Sequence, residues 1–551
     1  MRGLLAGVGA FLVVAGVVGA HEPQRPVPFR VGSDLQGLAL TPRATVITHL
    51  GPWASNSLLV ELGKDHLVLV STPYTPESTD EVLAWIRAQY PGRALTAINP
   101  HFHLDGAGGN EALIRAGVPV IGSDLTAKLI AERGARRRDY AASLVSDDEL
   151  RTQLLAVPMV PPSRTFPLQQ GAHLVLGGEP VDIIFPGAAH APDNVVVHFP
   201  RQGILFGGCM VLAGKRAANL SDADVTGWAR AVESLQGLRA DIVIPGHGDR
   251  FDRELLENTH RIAKDLVPRT LAVTVDDLPW VGPAPEGSRS VTEAVEKLAS
   301  HLTSRHVPAT GFIAAGREHR EALRAWIKSG MEMGNHTFSH RAYSKLSVAE
   351  YTADVLRNEE VVRQEFGVEL RGTFFRYPFL DHGHTEEKVE AMARLMEQRR
   401  YTHAPVSLDT VDHLFANAYA RLPDRRKTAR LYVEHVQESA AHFEALSRQL
   451  HGREIPLVLL VHANELNADH LGTVLEMLES RGYRFVPLRQ ALSDAAYATH
   501  GNRPPLVPLK GDRNFLTQVA TARGIVVDDV SGEGRFETHW RPLLEGADAG
   551  R

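Results

Sequence analysis

The strongest constraint on the fold is a run of two histidines and an aspartate, His101, His103 and Asp105, within five residues. The apolar stretch 95–98 precedes this run and small residues follow it, which is typical of a loop at the end of a buried strand. Imidazoles and a carboxylate this close in sequence can bind a metal ion together, and the donor set suits Zn²⁺. The sequence therefore predicts a metal site at a strand end.

The length and composition indicate a globular protein of several domains. With 551 residues, the chain has room for two to four domains of roughly 150 residues each. Hydrophobic residues (44%) and charged residues (23%) exclude a disordered, collagen-like or polytopic membrane protein. The net charge of −6 gives no electrostatic reason to expect a nucleic-acid partner. The single cysteine, Cys209, excludes an intramolecular disulfide.

Residues 1–20 have the pattern of a cleaved export signal. Arg2 supplies a positive start, residues 4–18 are apolar, and residues 18–20 form a small-residue cleavage site. An uncleaved anchor is the alternative, but the stretch is rich in glycine and is a poor spanning helix. We therefore expect a periplasmic or secreted protein with no stable membrane insertion after cleavage.

The hydrophobic pattern predicts two α/β domains and a tail. Runs such as 57–62, 181–185 and 242–244 read as strands, and a helix at 253–265 leads to a boundary near Pro268. Beyond it, strands such as 457–461 alternate with helical segments, which favours βα units. The predicted units are residues 29–266, residues 270–495 and an irregular tail, 496–551.

Three more ligand-type side chains stand amid small residues at predicted strand ends. They are His190, Cys209 and His247. Taken alone, such a histidine is as well explained by a structural role, and a lone cysteine by burial as a small apolar group. Coincidence is a poor explanation for all of them in this order after the first motif.

From about Val31 to Asp265 the chain resembles the metallo-β-lactamase superfamily, and within it the class B1 enzymes. The resemblance is carried by the ligand motif and by residues 72–74, 192–197, 205–209 and 219–224. It implies an αββα sandwich, two Zn²⁺ ions and hydrolysis of a β-lactam-like small molecule by zinc-bound hydroxide. It implies the following roles: His101, His103 and His190 bind the first zinc, Asp105, Cys209 and His247 bind the second, Asn219 polarises the carbonyl, and Lys215 or Arg216 binds the substrate carboxylate.

Four positions refine this resemblance. Gly106 and Cys209 separate the chain from glyoxalase-like and lactonase-like branches, which usually carry a histidine after the motif aspartate and a bridging aspartate. Ser71 stands where the family usually has an aspartate, and Leu212 where it commonly has a lysine. These last two departures leave open a non-lactam substrate, such as a lactone or thioester.

A second constellation follows in the C-terminal half. Asp276 and Asp277 end an apolar strand, and His336 and His340 have a spacing that would put both imidazoles on one face of a helix. One carboxylate and two imidazoles form a three-ligand metal set with open positions. The further elements are the run Arg376–Phe379, the pair Asp409 and Asp412, and the strand-end His462.

From about Thr270 to Leu492 the chain resembles the polysaccharide deacetylase (NodB homology) family, carbohydrate esterase family 4. This implies a distorted (β/α) barrel and one divalent metal ion, with Zn²⁺ expected. It also implies deacetylation of an N- or O-acetylated glycan or peptidoglycan fragment. It implies the following roles: Asp277, His336 and His340 bind the metal, Asp276 is the general base, His462 the general acid, Arg376 orients Asp276, Asp409 tunes His462, and the Phe379 N–H holds the oxyanion.

Two further alternatives remain open at the level of sequence. Leu278 and His413 replace the family's usual glycine and tryptophan, which leaves the preferred polymer undetermined. One of the two domains could also be a catalytically silent module that binds a glycan or another substrate.

Overall fold

The computed structural model describes residues 27–285, 289–507, 513–528, 530 and 532–546. The predicted export signal, residues 1–20, lies outside this range. Within the described residues, no helix is both long enough and apolar enough to span a membrane.

The N-terminal half contains two β-sheets. The first has eight strands in chain order and the second has five, in the order β13-β12-β11-β10-β9. The strands are β1 (Phe29–Arg30), β2 (Leu35–Thr41), β3 (Ala44–His49), β4 (Ser55–Leu62), β5 (His66–Val70), β6 (Ala94–Ile98), β7 (Val120–Ser123), β8 (Arg164–Phe166), β9 (Ala172–Leu176), β10 (Glu179–Ile184), β11 (Val196–Phe199), β12 (Ile204–Gly208) and β13 (Ile242–Pro245).

Helices cover the outer faces of both sheets. They are α1 (Pro76–Gln89), α2 (Leu104–Ala107), α3 (Asn110–Arg115), α4 (Asp124–Leu129), α5 (Ala135–Ser143), α6 (Asp148–Ala156), α7 (Trp228–Glu233) and α8 (Glu254–Lys264). A single π-helical turn, Ile130–Gly134, joins α4 to α5. Thr75 caps α1 by accepting the Ser78 N–H at 3.2 Å, and Pro76 follows at the first helical position, where its missing N–H costs nothing.

Three apolar layers define the sandwich. Val60 and Val68 of the first sheet meet Val181 and Phe206 of the second in a core between the two sheets. The outer face of the first sheet packs on α1 and α3, and that of the second on α7 and α8. The result is the predicted αββα arrangement, in which the loops at the strand ends stay free to carry functional groups.

The C-terminal half is built on one curled, wholly parallel sheet. Its order is β18-β17-β16-β15-β14-β20-β19, with β21 also paired to β14. The strands are β14 (Arg269–Leu278), β15 (Ala309–Ile313), β16 (Glu332–Asn335), β17 (Phe374–Phe375), β18 (Thr402–His403), β19 (Leu408–Asp409), β20 (Leu457–His462) and β21 (Tyr483–Phe485). The predicted α/β class and NodB-like barrel are confirmed.

The helices of this half include two with reciprocal side-chain caps, at Ser290 with Glu293 and at Ser347 with Glu350. The helices described in the C-terminal half are α9 (Val291–Thr303), α10 (Arg320–Lys328), α11 (Val348–Phe366), α12 (Glu386–Arg399), α13 (Asp412–Arg421), α14 (Arg425–His451), α15 (Glu465–Ser480), α16 (Leu488–Leu492), α17 (Ala495–Ala498), α18 (Phe515–Ala522), α19 (Glu533–Arg535) and α20 (Arg541–Glu545).

The tail is more regular than the sequence predicted. Instead of an irregular segment, it forms α18, α19 and α20, with a π-helical turn between the last two. Phe515, Leu516 and Trp540 are buried in the same apolar core as the barrel strands. The tail escaped prediction because its apolar residues lie in short groups separated by Gly- and Pro-containing stretches, which hide the helical period.

Candidate metal centres

The N-terminal centre lies where loops from both sheets converge. His101, His103 and Asp105 follow β6 and enter the short helix α2. His190 lies between β10 and β11, and Cys209 directly follows β12. His247 follows β13, which runs parallel to β12, so the ends of these two strands meet.

Three imidazoles form the first donor group. Ligand-type atoms of His101, His103 and His190 all lie within 4.8 Å of one another, and all three side chains are buried. The closest approach is between His103 Nδ1 and His190 Nε2, at 3.1 Å. His101 Nε2 is buried and has no hydrogen-bond partner. A buried polar atom in that state calls for another partner, and a divalent cation fits it.

Asp105 is the centre of the second donor group. Its Oδ2 lies 3.0 Å from Cys209 Sγ and 3.1 Å from His247 Nε2. His101 Nε2 is 3.4 Å from the other carboxylate oxygen, so the two groups adjoin. The His247 ring is fixed by its Nδ1, which donates to the Ala54 carbonyl at 2.7 Å. The predicted ligands of each site are thus together.

The charges in this centre are tuned by burial and by one another. Burial alone would raise the pKa of Asp105, but the imidazoles of His101 and His247 outweigh it and hold that pKa well below its usual range. Burial, followed by the Asp105 carboxylate, raises the pKa of the Cys209 thiol well above normal. Burial, followed by His103 and His101, lowers the pKa of His190 well below normal. The effects on Asp105 and His190 favour a carboxylate and a neutral imidazole, the forms that bind metal, whereas the effect on Cys209 favours a thiol that must lose its proton when a metal binds.

The predicted substrate-binding residues lie on the segment after Cys209. Lys215, Arg216 and Asn219 are all exposed, and Asn219 Oδ1 accepts the Ser221 N–H at 3.1 Å. The sequence assigned no role to Asp222, three residues further on. Its Oδ2 lies 2.9 Å from Nε2 of His103, opposite the nitrogen that faces His190. A carboxylate in that position fixes the ring orientation and tautomer of a metal ligand.

The two residues that depart from the family pattern, Ser71 and Leu212, have different surroundings. Ser71, with a positive φ of 69°, donates its hydroxyl to the Asp105 carbonyl at 2.8 Å. It therefore supports the backbone of the motif aspartate. Leu212 is partly buried, and its N–H donates to the Thr259 hydroxyl at 2.8 Å.

The C-terminal centre is set by parallel strand register. Asp276 on β14 stands directly opposite His462 on β20. Asn335 on β16 stands opposite Phe375 on β17, so the next residues, His336 and Arg376, lie side by side. The carboxyl ends of neighbouring parallel strands therefore bring together groups that are far apart in sequence.

Asp277 is the focus of the predicted metal triad. Its Oδ1 lies 2.7 Å from His340 Nε2 and 3.5 Å from His336 Nε2, and the three donor atoms lie within 4.8 Å of one another. Burial would raise the pKa of Asp277, yet the two imidazoles hold it well below normal. Arg317, which the sequence reading missed, adds a cation 3.0 Å from Asp277 Oδ2.

The two imidazoles are not on a helix. In a helix, the spacing of His336 and His340 would place both imidazoles on one face, but residues 336–342 form a loop. Thr337 and His340 have φ values of 60° and 52°, and these left-handed positions turn the loop back onto Asp277. A four-residue spacing alone does not distinguish a helical turn from such a loop.

Arg376 and Asp412 hold the predicted base and acid in place. Arg376 is fully buried, and it donates to Asp276 Oδ1 at 2.8 Å and to the Ala404 carbonyl at 2.9 Å. His462 Nδ1 lies 2.7 Å from Asp412 Oδ1. Burial lowers the pKa of His462, but the adjacent Asp412 carboxylate more than offsets this and raises it to about 10.

The prediction of Asp409 as the carboxylate that tunes His462 is corrected by this geometry. Asp409 pairs with Leu460, two residues before His462, and its Oδ1 accepts the Val411 N–H at 3.0 Å. Val411 then turns the chain with a φ of 39°, and α13 begins with Asp412 beside the histidine. Asp412 also accepts from Asn464 at 2.8 Å and Asn467 at 2.6 Å, which fixes its carboxylate.

Phe379 marks the mouth of the C-terminal centre. It lies in a short 3₁₀ turn with a φ of 58°, and the residue is 56% exposed. The centroid of its ring is 4.7 Å from that of the His340 ring. An exposed aromatic ring beside a metal-type cluster is suited to stacking on a sugar, and the turn presents backbone near the triad.

Comparisons with known proteins agree with both centres. Residues 50–247 match the family model of the metallo-beta-lactamase superfamily, and residues 263–397 match that of polysaccharide deacetylase. A metallo-beta-lactamase type 2 of Bacteroides fragilis is 30% identical over 220 residues, or 39% of this chain and 78% of the relative. That of Bacillus cereus is 27% identical over 283 residues, 48% of this chain and all of the relative.

Among solved structures, a metallo-beta-lactamase from Pontibacter korlensis shares 32% identity with this chain. It matches 42% of this chain and 100% of its own length, with a TM-score of 0.36. The two donor clusters and the two family matches place this chain among metal-binding hydrolase families. The chain belongs to the metallo-beta-lactamase superfamily and carries a polysaccharide deacetylase domain after the lactamase-type domain.

Proposed function

We propose that this chain is an exported, bifunctional zinc hydrolase. Its N-terminal domain would open the amide of a β-lactam ring, and its C-terminal domain would remove acetyl groups from an N- or O-acetylated glycan. The observation that carries the first assignment is the thiol of Cys209, 3.0 Å from Asp105 and adjacent to the three-histidine group. The type 2 metallo-beta-lactamases among the relatives support the same substrate class.

In the N-terminal centre, the six donor side chains fit two Zn²⁺ ions, three residues for each. When bound, the ions would supply Lewis acidity and activate water at neutral pH. The chain's own residues would orient the substrate. The exposed amide of Asn219 would donate a hydrogen bond to the lactam carbonyl, and Lys215 or Arg216 would pair with the substrate carboxylate.

In the C-terminal centre, Asp277, His336 and His340 fit one divalent ion, Zn²⁺ in this proposal. When bound, it would polarise the acetyl carbonyl. Asp276 would accept the proton of the attacking water, because the buried guanidinium of Arg376 holds this carboxylate in a fixed orientation. The Phe379 N–H would stabilise the oxyanion.

His462 would then deliver a proton to the leaving amine or alkoxide. Its Nδ1 is engaged by Asp412, so the proton would leave from Nε2. With a pKa of about 10, the imidazole is protonated at neutral pH before the reaction. The Asp276 and His462 side chains, from paired residues of adjacent strands, would thus serve as base and acid on one acetyl group.

Export is part of the proposal and rests on residues 1–20. A lone thiol is a liability in an oxidising compartment unless it is buried or bound to metal. Cys209 is buried and stands in a donor group, so the lone thiol is compatible with an oxidising compartment.

The test uses one preparation of the zinc-loaded chain and two substrates. Hydrolysis of a chromogenic cephalosporin is followed by absorbance, and acetate release is followed from N-acetylglucosamine oligomers. The proposal predicts turnover of both substrates, each abolished by a chelator and restored by zinc. No cephalosporin turnover by fully metal-loaded protein would overturn the lactamase assignment, and no acetate from a panel of N- and O-acetylated glycans would overturn the deacetylase assignment.

A further inference from the structure

One loop of the lactamase-type domain is held by the deacetylase domain. Residues 219–224, here called the 219–224 loop, carry Asn219 and Asp222. The Leu220 N–H donates to the Ser480 carbonyl at 3.0 Å. Arg484 donates to the Ala223 carbonyl at 2.6 Å and to the Leu220 carbonyl at 3.4 Å. These contacts bind both sides of Asp222 to the chain around the end of α15.

A buried series of paired side chains connects His103, a predicted metal ligand, to helix α15. Asp222 Oδ2 lies 2.9 Å from His103 Nε2 and 2.9 Å from Arg137 Nε. Arg137 in turn pairs with Glu476 on α15. The side chains of Asp222 and Glu476 are 2% exposed and that of Arg137 is 7% exposed. We call this series, His103–Asp222–Arg137–Glu476, the interdomain relay.

Buried charges are stable only when they are paired, so the relay constrains the position of each member. Glu476 also forms an ion pair with Arg136 at 2.9 Å and accepts a hydrogen bond from Arg305 at 3.4 Å, which fixes its carboxylate from both domains. If Glu476 lost its charge, Arg137 would lose the buried partner of its Nη1 and would keep Glu479, at 3.6 Å, as its remaining partner on α15. The guanidinium and the Asp222 carboxylate would then be free to shift relative to His103.

We propose that Glu476 is a positioning residue for the N-terminal metal centre. In this assignment the deacetylase domain supplies, through α15 and Arg484, part of the support that holds His103 and the 219–224 loop in the orientation needed for metal and substrate. The inference rests on the proposed function only for the role of His103 as a metal ligand. It does not depend on which substrate is hydrolysed.

The same helix provides a matched control. Asp469 lies on α15, pairs with Arg289 at 2.7 Å and Lys297 at 2.7 Å, and has a partly buried carboxylate. These partners all belong to the deacetylase domain. Asp469→Asn therefore removes a comparable pair of ionic contacts from the same helix without touching the relay.

The first experiment measures metal affinity in the full-length chain. His336→Ala and His340→Ala are introduced throughout to disable the C-terminal donor set, and Zn²⁺ affinity is measured by competition with a chromogenic chelator. Partners that orient metal ligands change affinity by about 10- to 100-fold. We expect Glu476→Gln to weaken the first Zn²⁺ by about 10-fold, at the lower end of that range, and Asp469→Asn to leave it unchanged. Equal affinity in the Glu476→Gln variant, or equal weakening in both variants, would overturn the proposal.

The second experiment needs no metal and no activity. Hydrogen exchange of residues 219–224 is measured in the metal-free full-length chain. We expect faster exchange in Glu476→Gln and in a second variant, Arg484→Ala, with Asp469→Asn matching the wild type. Unchanged exchange in both variants would overturn the proposal. A chain that binds zinc but hydrolyses no lactam would end the lactamase assignment and leave this inference standing.

Discussion

The two metal centres are assembled in opposite ways. In the C-terminal centre, the register of one parallel sheet aligns Asp276 with His462, and the groups that hold them, Arg376 and Asp412, come from the same sheet and its connections. In the N-terminal centre, loops of two sheets converge, and Asp222 connects the ligand His103 to another domain through Arg137. The C-terminal centre is therefore held by its own domain, whereas the N-terminal centre also depends on the domain that packs against its loops.

The largest expected effect tests whether the centres act separately. His101→Ala removes a buried donor of the N-terminal centre and His336→Ala one of the C-terminal centre. Loss of a ligand should cost more than the roughly 100-fold upper figure for outer partners. We expect each variant to lose only its own activity, in parallel assays of cephalosporin hydrolysis and acetate release. Loss of both activities in a folded single variant would contradict separate centres.

The next effect concerns the acid histidine. Asp412→Asn removes the carboxylate that raises the pKa of His462 to about 10, so that pKa should fall. Because the acid must be protonated, activity would then be lost at a lower pH, and the alkaline limb of the pH–rate profile would move to lower pH. At neutral pH we expect a loss of about 100-fold in kcat, measured as acetate release.

Asp409→Asn is the control for this assignment, because Asp409 makes its hydrogen bond to Val411 and not to His462. We expect it to change the alkaline limb less than Asp412→Asn does. If Asp409→Asn moved the limb further, the correction from Asp409 to Asp412 would be wrong.

Local motifs were predictable because the residues themselves carry the signal. The donors at positions 101, 103 and 105 lie within five residues of one another. The strand-end positions of Asp277 and His462 follow from the apolar runs that precede them. The choice between Asp409 and Asp412 was not predictable in this way. It depends on the turn at Val411, whose φ of 39° belongs to the left-handed region that valine rarely adopts.

Long-range partners were out of reach of sequence reasoning. Arg137 and Glu476 are 339 residues apart and belong to different domains. In the sequence, each belongs to a pattern of charged and polar residues that is typical of a solvent-exposed helix face. Only the packed structure shows that both are buried. The ordered structure of the tail was not predicted for a related reason, because Trp540 and Phe515 are buried through packing against the distant barrel core.

The thiol gives a pH-dependent difference between the centres. Burial and Asp105 raise the pKa of Cys209, so the thiol is protonated without metal and must release its proton to bind one. Below the thiol pKa, metal affinity at that position should therefore increase by about tenfold for each unit by which the pH is raised.

Calorimetric titration with Zn²⁺ in buffers of different ionisation enthalpy measures this proton release. We expect Cys209→Ser to release about one proton fewer than the wild type, and the C-terminal centre, which has no thiol ligand, to be unaffected. Equal proton release by wild type and variant would show that Cys209 does not bind the metal.

The smallest expected effect is at Ser71. Ser71→Ala removes the hydrogen bond to the Asp105 carbonyl, worth about 1 kcal/mol, or about fivefold in Zn²⁺ affinity. Ser163→Ala is the control, because it removes hydroxyl hydrogen bonds with the Val120 carbonyl and the Val120 N–H, away from the centre. An equal change in both variants would mean that Ser71 acts only through general stability.

The most direct test of two separate metal centres is the metal content of the purified chain after zinc loading and dialysis. We expect about three zinc ions per wild-type chain and about two in a His336→Ala, His340→Ala double variant. His101→Ala should lose at least one ion while retaining the C-terminal one. A wild-type chain that holds one ion or none, or a double variant that holds as many as the wild type, would contradict two centres on this chain.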